Sequence, residues 1–174
     1  RYVTAEVFIS AAQTTALLSP ERPIVLAQAK SGNRLSRLVA PGLYEIGIML
    51  PYSPLHHLLL NDFAGPLIAT SANISGEPVL TDNAAVEARL GHVADAFLHH
   101  NRPIVRPADD PVIRTVCGEA RAFRLGRGIA PLERSLPGKL AAPLLATGGH
   151  MKNTVALAWD DRVVISPHIG DLDS

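Results

Sequence analysis

The sequence predicts an α/β protein in two successive folding units, and three observations carry that prediction. Short apolar runs bounded by turn residues, at 23–27, 46–50 and 66–69, alternate with stretches of helical periodicity. From residue 104 the texture becomes strand-like, with runs at 104–105, 112–116 and 122–125. Residues 128–140, with Pro131, Pro137 and Gly138 and little periodicity, then read as a boundary, after which further apolar runs begin.

The elements follow in order. The run 23–27 reads as a buried strand. A helix is expected at 33–39, where Leu35, Leu38 and Val39 share a face, and Pro41-Gly42 stops it. A second strand at 46–50 leads to Ser53-Pro54, an N-cap followed by proline at the first helical position. Leu55, Leu58, Leu59 and Phe63 then recur at helical spacing. The run Pro66-Leu67-Ile68-Ala69 is expected to be a short buried strand. Thr81 or Asp82 caps a longer helix whose stripe is Val86, Leu90, Val93 and Phe97, and which ends at His99-His100-Asn101. Imidazoles there suit the negative end of the helix dipole better than they suggest a metal site. Beyond the boundary, strands are expected at 143–147, 154–159 and 162–165, the last two joined by the Asp160-Asp161 turn.

Composition narrows the function classes. The 174 residues are 47% hydrophobic and 18% charged, which suits a globular core and not a disordered chain. Lys plus Arg and Asp plus Glu are 16 each, so no overall positive field favours sequence-independent nucleic-acid binding. A single cysteine, Cys117, can form neither an internal disulfide nor a cysteine-rich zinc site, which fits a reducing compartment. No apolar stretch is long enough to span a bilayer, and the expectation is a soluble, cytoplasmic protein. The chain opens at Arg1 without methionine and stops soon after an expected strand, so it reads as a piece of a longer protein.

The segment that points to chemistry is Ala69-Thr70-Ser71-Ala72-Asn73-Ile74-Ser75-Gly76-Glu77-Pro78. If a strand ends at Ala69, the short donors of Thr70, Ser71 and Asn73 sit at its carboxyl end, where open α/β sheets bind ligands. Neutral hydroxyls and amides there can meet phosphate or carbonyl oxygens. The same composition also suits a polar turn capping the next helix. Six arginines, Arg102, Arg106, Arg114, Arg121, Arg124 and Arg127, punctuate the strand-rich part, and planar guanidinium groups on neighbouring strands can converge on an anion. In the second unit, Gly148-Gly149-His150-Met151-Lys152-Asn153 joins two expected strands. It reads either as a tight hairpin turn or as a loop whose backbone amides and lysine approach a phosphate. His168 and Asp171 follow a later strand of that unit and either line the same cleft or, for Asp171, start a helix.

Taken together, several motifs resemble the YrdC-like domain of HypF-type carbamoyltransferases. They are Pro23-Ile24-Val25-Leu26, Met49-Leu50-Pro51-Tyr52-Ser53-Pro54-Leu55-His56-His57, Thr70-Ser71-Ala72-Asn73-Ile74-Ser75-Gly76-Glu77-Pro78, Asp109-Asp110, Arg127-Gly128, Lys152-Asn153-Thr154 and His168-Ile169-Gly170-Asp171-Leu172. The resemblance spans nearly the whole chain. It implies a YrdC-like twisted mixed sheet with helices over residues 1–134, lacking its N-terminal part. The opening strands of an actin/sugar-kinase-like transfer domain would follow over 140–174.

By the same resemblance, the activity is that of a [NiFe]-hydrogenase maturation enzyme. Carbamoyl phosphate and ATP, with Mg2+, yield carbamoyl-adenylate. The carbamoyl group then passes to the C-terminal cysteine of a HypE-type maturation protein, as precursor of the cyanide ligands. Thr70, Ser71, Asn73, Arg124 and Arg127 would bind the nucleotide or carbamoyl-adenylate, and Lys152, Asn153, His168 and Asp171 would form a phosphate or carbamoyl site. The zinc or iron sites of the family would lie outside this chain, and the isolated chain would be inactive. Related modules bind double-stranded RNA or make threonylcarbamoyl-adenylate for tRNA modification, and an inactive binding piece is a further alternative. The YrdC-like part preceding the transfer part favours the hydrogenase reading. The chain departs from the family pattern at Pro111, where serine is expected, at Arg124-Leu125-Gly126-Arg127, where adjacent arginines are expected, and in the Gly148-Gly149-His150 stretch.

Overall fold

A computed structural model describes residues 3–105, 107–150 and 153–169. The chain divides into two compact units, Arg1–Ala69 with Asp110–Ala130 and Thr70–Asp109 with Pro131–Ser174.

The first unit holds helices α1 (Val3–Glu6), α2 (Ala11–Leu18) and α3 (Pro54–Phe63) and strands β1 (Ile24–Gln28), β2 (Glu45–Ile48), β3 (Val112–Val116) and β4 (Glu119–Arg124). The strands form a mixed sheet in the order β2-β1-β3-β4. β1 runs antiparallel to β2 and parallel to β3, and β3 and β4 form a hairpin. The fold class expected from the sequence is therefore present. Pro111 leads into β3, where its missing N–H costs no ladder bond, and its carbonyl accepts the Ile24 amide at 2.8 Å.

Every fully buried apolar residue among those described lies in this unit. Val7, Ala27 and Ile46 form one cluster and Ala16, Leu17 and Val25 another, so β1 sends alternate residues into both. Helix α2 starts on a capping box. Ser10 Oγ accepts from the Gln13 amide at 3.2 Å and Gln13 Oε1 accepts from the Ser10 amide at 2.8 Å. The Gln13 side-chain amide also donates to the Leu26 carbonyl of β1 at 2.9 Å, which ties helix to sheet. Glu6 is buried and accepts from the Arg34 amide at 2.7 Å and the Arg34 guanidinium at 3.1 Å, clamping the loop after β1.

The second unit holds α4 (Asn83–Leu90) and β5 (Leu132–Ser135), β6 (Leu144–Ala146), β7 (Ala156–Trp159) and β8 (Arg162–Ile165). The strands form an antiparallel sheet in the order β5-β8-β7-β6, with the β7–β8 hairpin turning at Asp160, whose φ is 51°.

Several expected elements are corrected. Residues 33–39 form turns and no helix, because Asn33 Oδ1 takes the Leu35 amide at 3.1 Å and Ser36 Oγ takes the Leu38 amide at 3.2 Å. The run 66–69 is not a strand: it has no partner among the described strands, and Leu67 and Ile68 are exposed. Helix α4 starts at its Asp82 cap as expected but ends at Leu90, where the Val93 and Ala94 amides both turn back to the Leu90 carbonyl. Residues 104–105 are irregular, and the stretch read as a boundary contains β5, whose single apolar residue gave no alternating pattern.

Candidate functional site

In the first unit the sequence gathers charged and aromatic groups around Asp110. Ser53 caps α3, its Oγ accepting from the His56 amide at 3.2 Å, and Pro54 preorganises the first turn. That fixes Tyr52 just ahead of the helix, with its ring edge-on to His56 at a centroid distance of 4.6 Å. Arg127 lies in the turn after β4, a turn closed by the Ile129 and Ala130 amides on the Gly126 carbonyl.

The Arg127 guanidinium carbon stands 3.8 Å from the centroid of the Tyr52 ring, a cation–π stack. Its Nη2 donates to Asp110 Oδ1 at 2.9 Å. Arg124 Nε donates to the Asp110 main-chain carbonyl at 2.7 Å, so both arginines converge on one residue. Arg127 Nε is buried and has no hydrogen-bond partner among the described residues. Partial burial pushes the Tyr52 phenol above its ordinary value, and the Asp110 carboxylate pushes it the same way, while Arg127 opposes. Such a guanidinium, held on one face and one edge, suits an oxyanion.

Two of the other arginines pair elsewhere in the first unit. Arg114 pairs with Glu45 at 2.8 Å and Arg121 with Glu119 at 2.5 Å, both on the surface of the sheet, and Arg106 lies outside the described residues.

In the second unit, Ser71 and Asn73 come together. Ser71 Oγ donates to Asn73 Oδ1, while Asn73 Nδ2 donates to the carbonyls of Ile74 at 3.0 Å and Glu77 at 2.9 Å. The side-chain amide thus closes the turn, and the exposed Ser71 hydroxyl keeps acceptor capacity. Thr70 is exposed beside them. This cluster does not follow a strand, contrary to the expectation for 66–69.

The glycine-rich loop is latched by Asn153. Its Oδ1 accepts from the Gly149 amide at 3.0 Å and its Nδ2 donates to the Thr147 carbonyl. Gly148 adopts φ +70°, and a Cβ there would fall on the Asn153 amide. The side-chain amide is therefore engaged with the loop's own backbone. His168, whose side chain is 3% exposed, pairs through Nε2 with the Asp109 carboxylate. Lys152 and Asp171 lie outside the described residues. His99, read as a helix-terminal imidazole, lies beyond the end of α4 and pairs with Glu87 at 2.8 Å.

Sequence reasoning missed Tyr52 and Asp110 as partners of Arg127. Nothing in their spacing joins residues 52, 110 and 127, although Ser53-Pro54 did fix where the helix beside Tyr52 begins.

Comparison with known proteins agrees with this architecture. The Sua5_yciO_yrdC model, described as telomere recombination, matches residues 2–126, and the HypF Kae1-like domain model matches residues 139–174. The chain is 46% identical over 158 residues to carbamoyltransferase HypF of Synechocystis, covering 91% of this chain and 21% of that protein. It is 41% identical over 170 residues to the carbamoyltransferase HypF of Rhizobium leguminosarum, covering 94% of this chain and 22% of that protein. A full-length HypF solved in its phosphate- and nucleotide-bound form superposes with a TM-score of 0.87 at 40% identity, covering 99% of this chain and 27% of that one. The chain thus spans about a fifth of the length of these curated relatives. With its YrdC-type segment followed by the HypF-specific one, the chain belongs to the Sua5/YciO/YrdC family and, within it, to the HypF type.

Proposed function

We propose that this chain serves a carbamoyltransferase of [NiFe]-hydrogenase maturation, which forms carbamoyl-adenylate from carbamoyl phosphate and ATP. The carbamoyl group then passes to the C-terminal cysteine of a HypE-type partner. The observation that carries this reading is the succession of a YrdC-type segment and a HypF Kae1-like segment in one chain. A relative of this fold solved with phosphate and nucleotide bound supports it, and the anion-ready Arg127 fits the same chemistry.

Hydrolysis of carbamoyl phosphate would first release inorganic phosphate and leave carbamate; a carbamate oxygen would then attack the α-phosphorus of ATP in line, forming the new P–O bond as the bond to the leaving pyrophosphate breaks. No side-chain nucleophile is needed. Catalysis rests on positioning and on donors aimed at the developing charge. Arg127, steadied by Asp110, would neutralise phosphate oxygens, and Arg124 would act chiefly by fixing the Asp110 backbone. Separately, within the second unit, Ser71 would offer its hydroxyl to a phosphate or carbamoyl oxygen, with Asn73 orienting it. Magnesium, when bound with ATP, would supply charge neutralisation on the phosphates. Lys152, with the loop that Asn153 latches, and His168 and Asp171 are proposed for the phosphate or carbamoyl site of the second unit.

The test is ATP–pyrophosphate exchange dependent on carbamoyl phosphate, measured in the longest natural polypeptide that carries these residues. Arg127→Ala should lower the exchange by at least tenfold, about 1.4 kcal/mol. Lys152→Ala should lower carbamoyl transfer while sparing the exchange. Exchange in wild type without carbamoyl phosphate, or full exchange in folded Arg127→Ala, would overturn the proposal.

A further inference from the structure

We infer that Tyr52 is a positioning residue whose ring presents the Arg127 guanidinium, edge first, to a phosphate-type oxyanion. The inference rests on the nucleotide-binding reading above and extends it to a residue outside the expected ligand set.

Three contacts hold the guanidinium, and the Tyr52 hydroxyl interacts besides with both Arg127 and Asp110. The Tyr52 ring, 3.8 Å from its central carbon, covers one face. Asp110 takes Nη2 at 2.9 Å and fixes rotation in the plane. Arg124 in turn holds the Asp110 main chain at 2.7 Å, so the carboxylate is itself anchored. Among the guanidinium's remaining donors, Nε is buried and has no hydrogen-bond partner among the described residues. A buried unpaired donor is costly, and an incoming oxygen acceptor removes that cost.

An arginine paired only with a carboxylate could swing on its long stem. Stacking adds a second constraint, so less side-chain freedom is lost when the anion binds. Tyr52 is in turn set by its place next to the Ser53 cap and by the edge-on His56 ring, which gives the platform its own support. Hence the ring acts on the ligand through Arg127 and need not touch it.

The experiment follows the arginine Nε–H resonances of this chain by NMR while titrating pyrophosphate and, separately, MgATP. Tyr52→Phe keeps the stack and removes only the hydroxyl's interactions with Arg127 and Asp110, Tyr52→Leu removes the stack as well, and Arg127→Lys assigns the signal. In wild type and Tyr52→Phe, the Arg127 Nε–H should exchange slowly with water and shift on adding pyrophosphate. In Tyr52→Leu that protection should be lost and pyrophosphate affinity should fall about tenfold, the scale of a well-packed cation–π contact.

In the Arg127→Lys background, removing the ring should cost much less, because Tyr52 acts through the guanidinium. An equal loss in both backgrounds would make Tyr52 a direct ligand and overturn the inference. So would an Arg127 resonance indifferent to pyrophosphate and MgATP, or a folded Tyr52→Leu that binds like wild type. Absence of carbamoyl-phosphate-dependent exchange together with a pyrophosphate-sensitive Arg127 would refute the adenylation proposal and leave this one standing.

Discussion

Replacing Gly148 and Gly149 one at a time with alanine should give opposite results, although the two glycines are adjacent in the loop assigned to an anion site. Gly148 has φ +70°, a region that costs an L-residue roughly 1 kcal/mol. Its new methyl group would also fall on the Asn153 side chain and within 2.8 Å of the Thr154 carbonyl oxygen. Asn153 must then leave, and with it go its bonds to the Gly149 amide and the Thr147 carbonyl. At the low end of ~0.5–1.5 kcal/mol each, since both are exposed, these add about 1 kcal/mol. The Thr154 contact is with backbone and cannot be relieved by a rotamer change, so the total should be about 2–4 kcal/mol. At Gly149 a Cβ meets open space, and the substitution should be neutral within about 0.5 kcal/mol.

The only tryptophan, Trp159, lies on β7 in the same unit, so urea unfolding followed by its fluorescence reads the relevant part of the chain. Asn153→Ala should remove most of the clash, so the double variant should lose less than the sum of the single ones. Equal costs at the two glycines, or strict additivity with Asn153→Ala, would refute the latch.

Glu6 is held below the usual carboxylate range, first by the Arg34 amide and then, against its own desolvation, by the Arg34 guanidinium and Lys30. A depressed pKa contributes stability that is present above the unfolded value and lost as pH falls through the folded one. Thermal midpoints should therefore drop on acidification below the carboxylate range, and Glu6→Gln should flatten that dependence; an unchanged acid limb would remove Glu6 from the account. Leu17→Ala, in the cluster with Val25, should cost about 2–4 kcal/mol in chemical denaturation, and a loss under 1 kcal/mol would mean that the α2 packing is not as described. Ser10→Ala should cost about 1 kcal/mol by removing the α2 capping box, checked by helicity and unfolding midpoint together. Asn73→Ala should lower adenylate binding by about 1–3 kcal/mol, measured by carbamoyl-phosphate-dependent ATP–pyrophosphate exchange, because the turn that carries Ser71 loses its internal acceptor and donors.

Much of the local structure was legible because its cause is local. The Ser53-Pro54 start of α3, the Asp82 cap of α4 and the strands at 24–28, 112–116 and 162–165 each follow from a cap, a proline or an apolar run read within a few residues. The Ser10 to Gln13 capping box was equally readable and announces α2, which the sequence reading passed over. Helical spacing misled at 33–39, because Asn33 and Ser36 bond to nearby amides and outbid the helix for them.

What only the tertiary structure decided are relations between distant residues. The apolar run 66–69 lacks a strand partner, and β5 exists because β8 offers one, facts of pairing that no window of sequence contains. The convergence of Tyr52, Asp110 and Arg127 has the same origin. Parallel pairing of β1 with β3 brings a segment beyond residue 110 back beside one before residue 30, and the turn after β4 then sets Arg127 on Tyr52. Composition and caps fix local elements because their energies are short-ranged. A site whose parts are 75 residues apart along the chain, from 52 to 127, depends on which strands pair, and that is settled only when the core forms.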